Sequence, residues 1–245
     1  MLALHHTLKT NKPSKVQIID GACFMPQKMK VKLVTWEDVV RWCKELAKKI
    51  RESGFKPDVV VAIARGGFTP ARLLCDYLDV VDLLSIKIEH WIETGKHKEE
   101  ATIKYPFNYD FSEKKVLIVD DIADTGKSII VAKKHIEEVC RPRELRVATM
   151  QLIPSTSLIV PDYYVDEVKE WTWYMYPWNF TEDMTNLIMR IVRERPEAEW
   201  SPEAIAKEFK ESYGVEFPID VFREILDEMV LRGRLLKIGD LYRKA

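Results

Sequence analysis

The stretch Val116–Ser128 reads VLIVDDIADTGKS and constrains this chain more than any other. Its first part, Val116–Val119, is an apolar β-branched run bounded by Glu113, Lys114 and Lys115 on one side and by acids on the other. That pattern predicts a buried parallel strand. Ile129, Ala132, Ile136 and Val139 then recur at helical spacing, so a helix begins near Gly126. A strand, a tight turn and a helix N-terminus make an anion site, with free backbone N–H groups and the hydroxyls of Thr125 and Ser128 facing the ligand. The Gly-Lys-Ser triplet is not a nucleotide triphosphate loop. That motif needs a glycine five positions before Gly126, and Asp121 stands there.

Asp120, Asp121 and Asp124 therefore need a reason of their own. Ionised carboxylates only accept hydrogen bonds, so beside a phosphate they repel unless they serve another part of the same ligand. A vicinal diol would donate to them, and a divalent cation would be held by them. A sugar phosphate meets both demands. The alternative is a solvated acidic turn with an Asp or Thr capping the helix.

The thirteen residues are similar to the phosphoribosyl pyrophosphate (PRPP) signature of type I phosphoribosyltransferases. The resemblance implies that Asp120 and Asp121 bind the ribose hydroxyls and help to place magnesium. It also implies that the loop Ala123, Asp124, Thr125, Gly126, Lys127 and Ser128 binds the 5′-phosphate. Asp124 lies one turn closer to the base and is the catalytic candidate, a group that accepts or relays the acceptor's proton.

A second loop supports this. The run PDVVVAIARGG, from Pro57, reads as another buried strand ending in Ala64, Arg65, Gly66 and Gly67, where glycines let backbone approach a second anion closely. It resembles the pyrophosphate-binding loop of the same transferases, which implies a cis peptide at Ala64–Arg65. Around these loops, Thr35 and Asp38 read as a helix cap, followed by Val39, Trp42, Cys43 and Leu46 on one face of a helix ending near Gly54. FTPARLLCDYL reads as a helix, with VVDLLSIKIEH and LRVATMQLI as strands. Strands alternating with helices imply an α/β fold with a parallel sheet, and a ligand site at the strands' C-terminal ends. Residues 91–109 are charged and too long for an ordinary connection, so they read as a hood or lid loop, or else as an exposed hairpin.

Towards the C-terminus, Asp162-Tyr163, Thr172-Trp173 and Pro177-Trp178 resemble the D-Y…T-W-x-x-x-P-W ending of xanthine–guanine phosphoribosyltransferases and their archaeal relatives. The resemblance spans roughly residues 32–179. It implies transfer of a phosphoribosyl group from PRPP to hypoxanthine, guanine or xanthine, with Mg2+ as cofactor and a homo-oligomeric, cytoplasmic enzyme. Trp173 would be the base platform and Tyr174 would supply backbone contacts. One position departs from that pattern. Where those relatives carry a lysine that donates to the purine O6, this chain has Ile153, before Pro154.

The chain of 245 residues divides on this reading into an N-terminal extension, 1–30, a transferase domain, 31–180, and a C-terminal domain, 181–245. The extension shows no clear period and is either an extended arm or a start site placed too early. The last part predicts three helices and a hairpin turning at Gly239-Asp240, which suits a winged helix. Its third helix carries Glu224, Asp227 and Glu228, which repel nucleic acid, against Arg223 and Arg232, while the wing is basic, with Arg232, Arg234, Lys237, Arg243 and Lys244. A subunit-contact or stabilising role is therefore expected ahead of a nucleotide-sensing regulator that binds DNA. A net charge of −1 and strand-length apolar runs give no sign of a nucleic-acid or membrane partner, and the N-terminus lacks a signal peptide's apolar core. Cys23, Cys43, Cys75 and Cys140 have no C-x-x-C spacing and read as buried thiols.

Overall fold

The computed structural model describes residues 29–92 and 99–245. Most of the expected N-terminal extension, with Cys23, and positions 93–98 of the expected hood lie outside the described residues. In chain order the elements are β1 (Val31–Leu33), α1 (Trp36–Glu52), β2 (Val59–Ala64), α2 (Phe68–Leu78), β3 (Asp82–Ile92), β4 (Glu99–Ile103), β5 (Lys115–Ala123) and α3 (Lys127–His135). There follow β6 (Glu144–Leu152), β7 (Asp166–Glu167), β8 (Trp173–Met175), α4 (Phe180–Glu194), α5 (Pro202–Tyr213), α6 (Ile219–Leu231), β9 (Leu235–Ile238) and β10 (Leu241–Lys244).

The main sheet has the order β4-β3-β2-β5-β6-β7 and is parallel except for the β3–β4 pair. β2 and β5 lie side by side at its centre, and helices cover both faces, which is why Val59–Ile63 and Val116–Val119 are apolar without alternation. α1 starts as its sequence dictates: the Thr35 hydroxyl accepts from Asp38 N at 3.1 Å, and the Asp38 carboxylate accepts from Thr35 N at 3.1 Å. Its buried stripe Val39, Trp42, Cys43, Leu46, Ala47 and Ile50 packs with α2 on one face of the sheet. α3 packs on the other.

One expectation needs correcting, and one choice between alternatives is decided. Val139 is 37% exposed, while Cys140 is buried in the core in its place. The helix widens into a π turn over Ile136–Cys140, and the extra residue per turn shifts the buried face by one position. The 91–109 segment, where described, is not a free loop. β3 continues to Ile92 and pairs antiparallel with β4 from Ile88↔Ile103 to Ile92↔Glu99, so the hairpin alternative holds there.

The C-terminal region contains the three helices and the hairpin that the sequence implies. Its core is built around Phe209, Phe222, Met229 and Tyr242, and it also takes in Met29, Val31 and Met175. The last two belong to a separate two-stranded parallel ribbon, β1 with β8, so the segments just before and just after the main sheet share one apolar cluster with the C-terminal helices. Cys43, Cys75 and Cys140 are buried and unbridged, and no described helix is long and apolar enough to cross a membrane. Phe209 is fully buried, with its ring 4.8 Å from Tyr213 and 5.4 Å from Phe222. Truncation to Ala should cost about 3–5 kcal/mol, read as a lowered midpoint in urea unfolding.

Candidate active site

β2 and β5 are neighbours in the sheet, but the chain leaves β2 for β3 on one side and β5 for β6 on the other. This reversal opens a crevice at the strands' C-terminal ends. Asp120 and Asp121 sit there, 8% and 9% exposed. Asp120 Oδ1 accepts from Asp121 N at 3.0 Å, and Asp121 Oδ1 accepts from Ile122 N at 2.8 Å. Both carboxyls are pushed above the ordinary range, foremost by burial. The charge of Asp121 adds to the shift at Asp120. The pair is therefore held against ionisation, and a cation or a set of hydroxyl donors at this spot would reverse that.

The Arg-Gly-Gly turn meets these acids because it has no side chains in the way. A Cβ on Gly66 would lie 2.2 Å from Asp121 Oδ2, and one on Gly67 would lie 2.3 Å from the Val119 carbonyl and 2.8 Å from the Ile63 carbonyl. The Ala64–Arg65 peptide is cis, as the resemblance implied. The Arg65 side chain is exposed, and its Nη2 donates to Glu182 Oε2 at 2.6 Å.

The other loop turns at Gly126, whose φ of 75° only glycine adopts readily, and α3 begins at the next residue. A partner that sequence reading missed holds it from behind. Ile153 N donates to the Ala123 carbonyl at 2.9 Å and Leu158 N to the Thr125 carbonyl at 3.0 Å. The Thr156 hydroxyl donates to Asp124 Oδ1 at 2.8 Å. Pro-Ser-Thr-Ser after a strand is the signal that could have found this turn, since hydroxyl side chains bond nearby backbone. Ile153 itself is 2% exposed and offers no hydrogen-bond donor from its side chain.

The aromatic segment is divided between two cores. Trp173 and Met175 pack against the C-terminal cluster, whereas Tyr174, Tyr176 and Trp178 pack against the sheet. Tyr176 stacks on Trp178 with centroids 4.8 Å apart, and its hydroxyl donates to Gln151 Oε1 at 2.6 Å. Trp178 also neighbours Asp121, where its indole opposes the raised carboxyl without closing a hydrogen bond. Neither Glu182 nor Asp183, at the start of α4, was expected from sequence at this crevice. Asp183 is buried, and its carboxyl is pushed up to about 7, first by burial and then by the charges of Glu182 and Asp121 against the pull of the Trp173 indole.

The donor set suits magnesium in one respect. Two adjacent carboxylates supply hard oxygen ligands, while no group of three or more His, Cys, Asp or Glu converges among the described residues. That fits a cation carried largely by phosphate oxygens and water better than one caged by protein.

A family model, the phosphoribosyl transferase domain, matches residues 32–184. The chain belongs to that family. A xanthine-guanine phosphoribosyltransferase of Nitratidesulfovibrio vulgaris is 32% identical over 154 residues, which is 61% of this chain and 85% of the relative. One from Desulfotalea psychrophila is 32% identical over 148 residues, 60% of this chain and 84% of the relative. Among solved structures, a purine phosphoribosyltransferase from Pyrococcus horikoshii is similar with a TM-score of 0.54 and 35% identity, covering 61% of this chain and 95% of that one. This phosphoribosyltransferase thus has the mainly parallel α/β fold of its type, and the matched span contains both loops of the crevice.

Two outcomes follow for the transferase. Gly67→Ala meets backbone that cannot yield, so it should lower stability by about 1–3 kcal/mol in urea unfolding, and by more than Gly66→Ala, which meets only the Asp121 side chain. The Asp183 carboxyl has a folded value of about 7 against an ordinary 3.8. Its raised value favours the folded state below about pH 4, and this contribution is lost as pH rises through about 7. Asp183→Asn escapes the loss, so its melting temperature should gain on wild type between pH 4 and pH 8; a constant gap would refute the assignment.

Proposed function

We propose that the protein transfers the 5-phosphoribosyl group of PRPP to a ring nitrogen of a purine, hypoxanthine, guanine or xanthine, releasing pyrophosphate in cytoplasmic purine salvage. The observation that carries the proposal is the pair of buried carboxylates, Asp120 and Asp121, set against an Arg-Gly-Gly turn across the sheet's point of reversal. The name of the 32%-identical relatives, xanthine-guanine phosphoribosyltransferase, supports the choice of acceptor.

In this reading Asp120 and Asp121 accept from the ribose hydroxyls and would hold Mg2+, which when bound with PRPP neutralises charge on the departing pyrophosphate. Backbone N–H groups of the Ala123–Ser128 loop, with the Thr125 and Ser128 hydroxyls, bind the 5′-phosphate at the start of α3. Ala64, Arg65, Gly66 and Gly67 bind the pyrophosphate, and the Arg65 guanidinium exchanges the Glu182 carboxylate for phosphate oxygens. That exchange is easy, because Arg65 and Glu182 are both exposed and such pairs contribute about 0–1 kcal/mol. Cleavage of the C1′–O bond ahead of full bonding to the base leaves an oxocarbenium-like ribose. Asp124, oriented by the Thr156 hydroxyl, takes the proton from the base.

Trp173 is assigned as the base platform, Tyr174 as a source of backbone contacts and Ile153 as an apolar neighbour. Without the lysine, preference for a 6-oxo group rests on backbone alone. The 91–109 segment covers the site and excludes water. Residues 181–245 form a winged-helix-like domain, joined to the transferase domain 31–180, that stabilises a homo-oligomer. A DNA-binding regulator is less well supported. In the hairpin and the helix before it, Lys237 is spent on Asp227 at 2.7 Å and Arg232 on Glu228 at 2.6 Å.

Pyrophosphate release from PRPP and Mg2+ should occur with at least one of hypoxanthine, guanine and xanthine, and less or not at all with adenine, uracil and orotate. Silence with all six would overturn the reading. Asp124→Asn should lower kcat by about 10²–10⁴-fold while changing the KM for PRPP only a few-fold. Parallel losses in both would remove Asp124 from its role.

A further inference from the structure

The C-terminal hairpin has one closed edge and one open edge. On β10, Tyr242 exchanges both of its backbone hydrogen bonds with Trp200: Trp200 N donates to the Tyr242 carbonyl at 2.8 Å, and Tyr242 N to the Trp200 carbonyl at 2.9 Å. Tyr242 therefore spends neither on Lys237, which stands opposite it on β9. Bonded and non-bonded positions alternate along an antiparallel pair, and the bond from Ala245 N to the Arg234 carbonyl at 3.3 Å agrees with this phase. Leu236 and Ile238 turn their N–H and C=O groups towards β10, and Leu235 and Lys237 turn theirs to the free edge. No other described backbone closes that edge.

An edge left open is commonly blunted by a charged side chain. Here the one candidate is drawn aside, since Lys237 donates to Asp227 at 2.7 Å on the face that packs against α6. The other face is apolar. Leu236 and Ile238 are 44% and 43% exposed on it, and Leu241 lies beside Ile238 across the hairpin. An exposed cation, Arg234, precedes the strand, and an exposed anion, Asp240, follows it in the turn.

We propose that the free edge of β9 docks the β9 of a second copy of this chain, antiparallel, with Lys237 opposite its own copy on a two-fold axis. The proposal rests on reading the C-terminal domain as an oligomer contact and names the surface. In this register outward-facing backbone groups meet outward-facing groups, Asp240 stands opposite the partner's Arg234, and Leu236 stands opposite the partner's Ile238. Symmetry repeats each pairing, as an isologous contact requires. Moving the axis by one residue would set Asp240 against the partner's Arg232, which Glu228 already holds at 2.6 Å, or against the partner's Leu236. Charge complementarity therefore selects the register. The two lysines at the axis are tolerated because each ammonium is met by Asp227 of its own chain. The two hairpins become one four-stranded sheet with a continuous apolar strip, and a contact this short belongs to the weak, concentration-dependent class.

Sedimentation velocity of the full-length chain, from about 1 μM to about 200 μM, covers the range of such contacts. Wild type should gain mass with concentration. Asp240→Arg and Arg234→Asp each set like charges opposite one another twice, so each variant alone should associate about tenfold more weakly or worse. In an equal mixture the two variants present opposite charges at both places, and the mixture should recover wild-type association. Leu236→Glu, at another exposed position, should weaken association without rescue by either variant. A mixture no better than its components would overturn the register and with it the proposal. If wild type associates and none of the variants changes its mass, this contact is wrong while the oligomer reading stands. A wild type that stays monomeric throughout overturns both and leaves the edge to a different partner.

Discussion

The close approach of the Arg-Gly-Gly turn to the end of β5 sets the terms for the rest of the site. Two carboxylates are buried at a strand end where water would otherwise solvate them, and burial raises the pKa of each. Such a placement is costly in an empty site and favourable in an occupied one. Gly66 makes room for the Asp121 carboxylate, and Gly67 lets the turn lie on the backbone of Val119 and Ile63. The sheet order supplies the remaining condition, since only a reversal between adjacent strands leaves their ends uncovered.

The C-terminal region is bound into this arrangement rather than appended to it. Glu182 holds Arg65, and Asp183 lies close enough to Asp121 to feel its charge. The ribbon of β1 and β8 presents Val31 and Met175 to the same apolar cluster as Phe209 and Met229. The first turn of α4 therefore sits at the edge of the crevice.

Much of this was legible in the residues, and the boundary of legibility is physical. Continuous apolar runs marked β2 and β5, a Thr-x-x-Asp cap marked the start of α1, and two short loops marked the crevice, because each signal is local in sequence. The π turn was not legible, since apolar residues at 129, 132, 136 and 139 fit an ordinary helix and only packing selects Cys140 over Val139. Thr156 behind Asp124, Trp178 beside Asp121 and Glu182 on Arg65 are contacts between distant parts of the chain, and no periodicity encodes them. The division of Trp173 and Tyr174 between two cores follows from strand alternation, but only once Trp173 is known to lie in a strand.

The shared cluster of β1, β8 and the C-terminal helices has a consequence for biosynthesis. The strands of the main sheet are complete in the chain by Glu167, yet the apolar side of the β1–β8 ribbon is covered only when α4, α5 and α6 have been made. At about 5–20 residues per second, that face stays bare on the ribosome for several seconds. A nascent chain of this protein is therefore sticky on one known side at one known stage, and a holdase that shields apolar surface would act there.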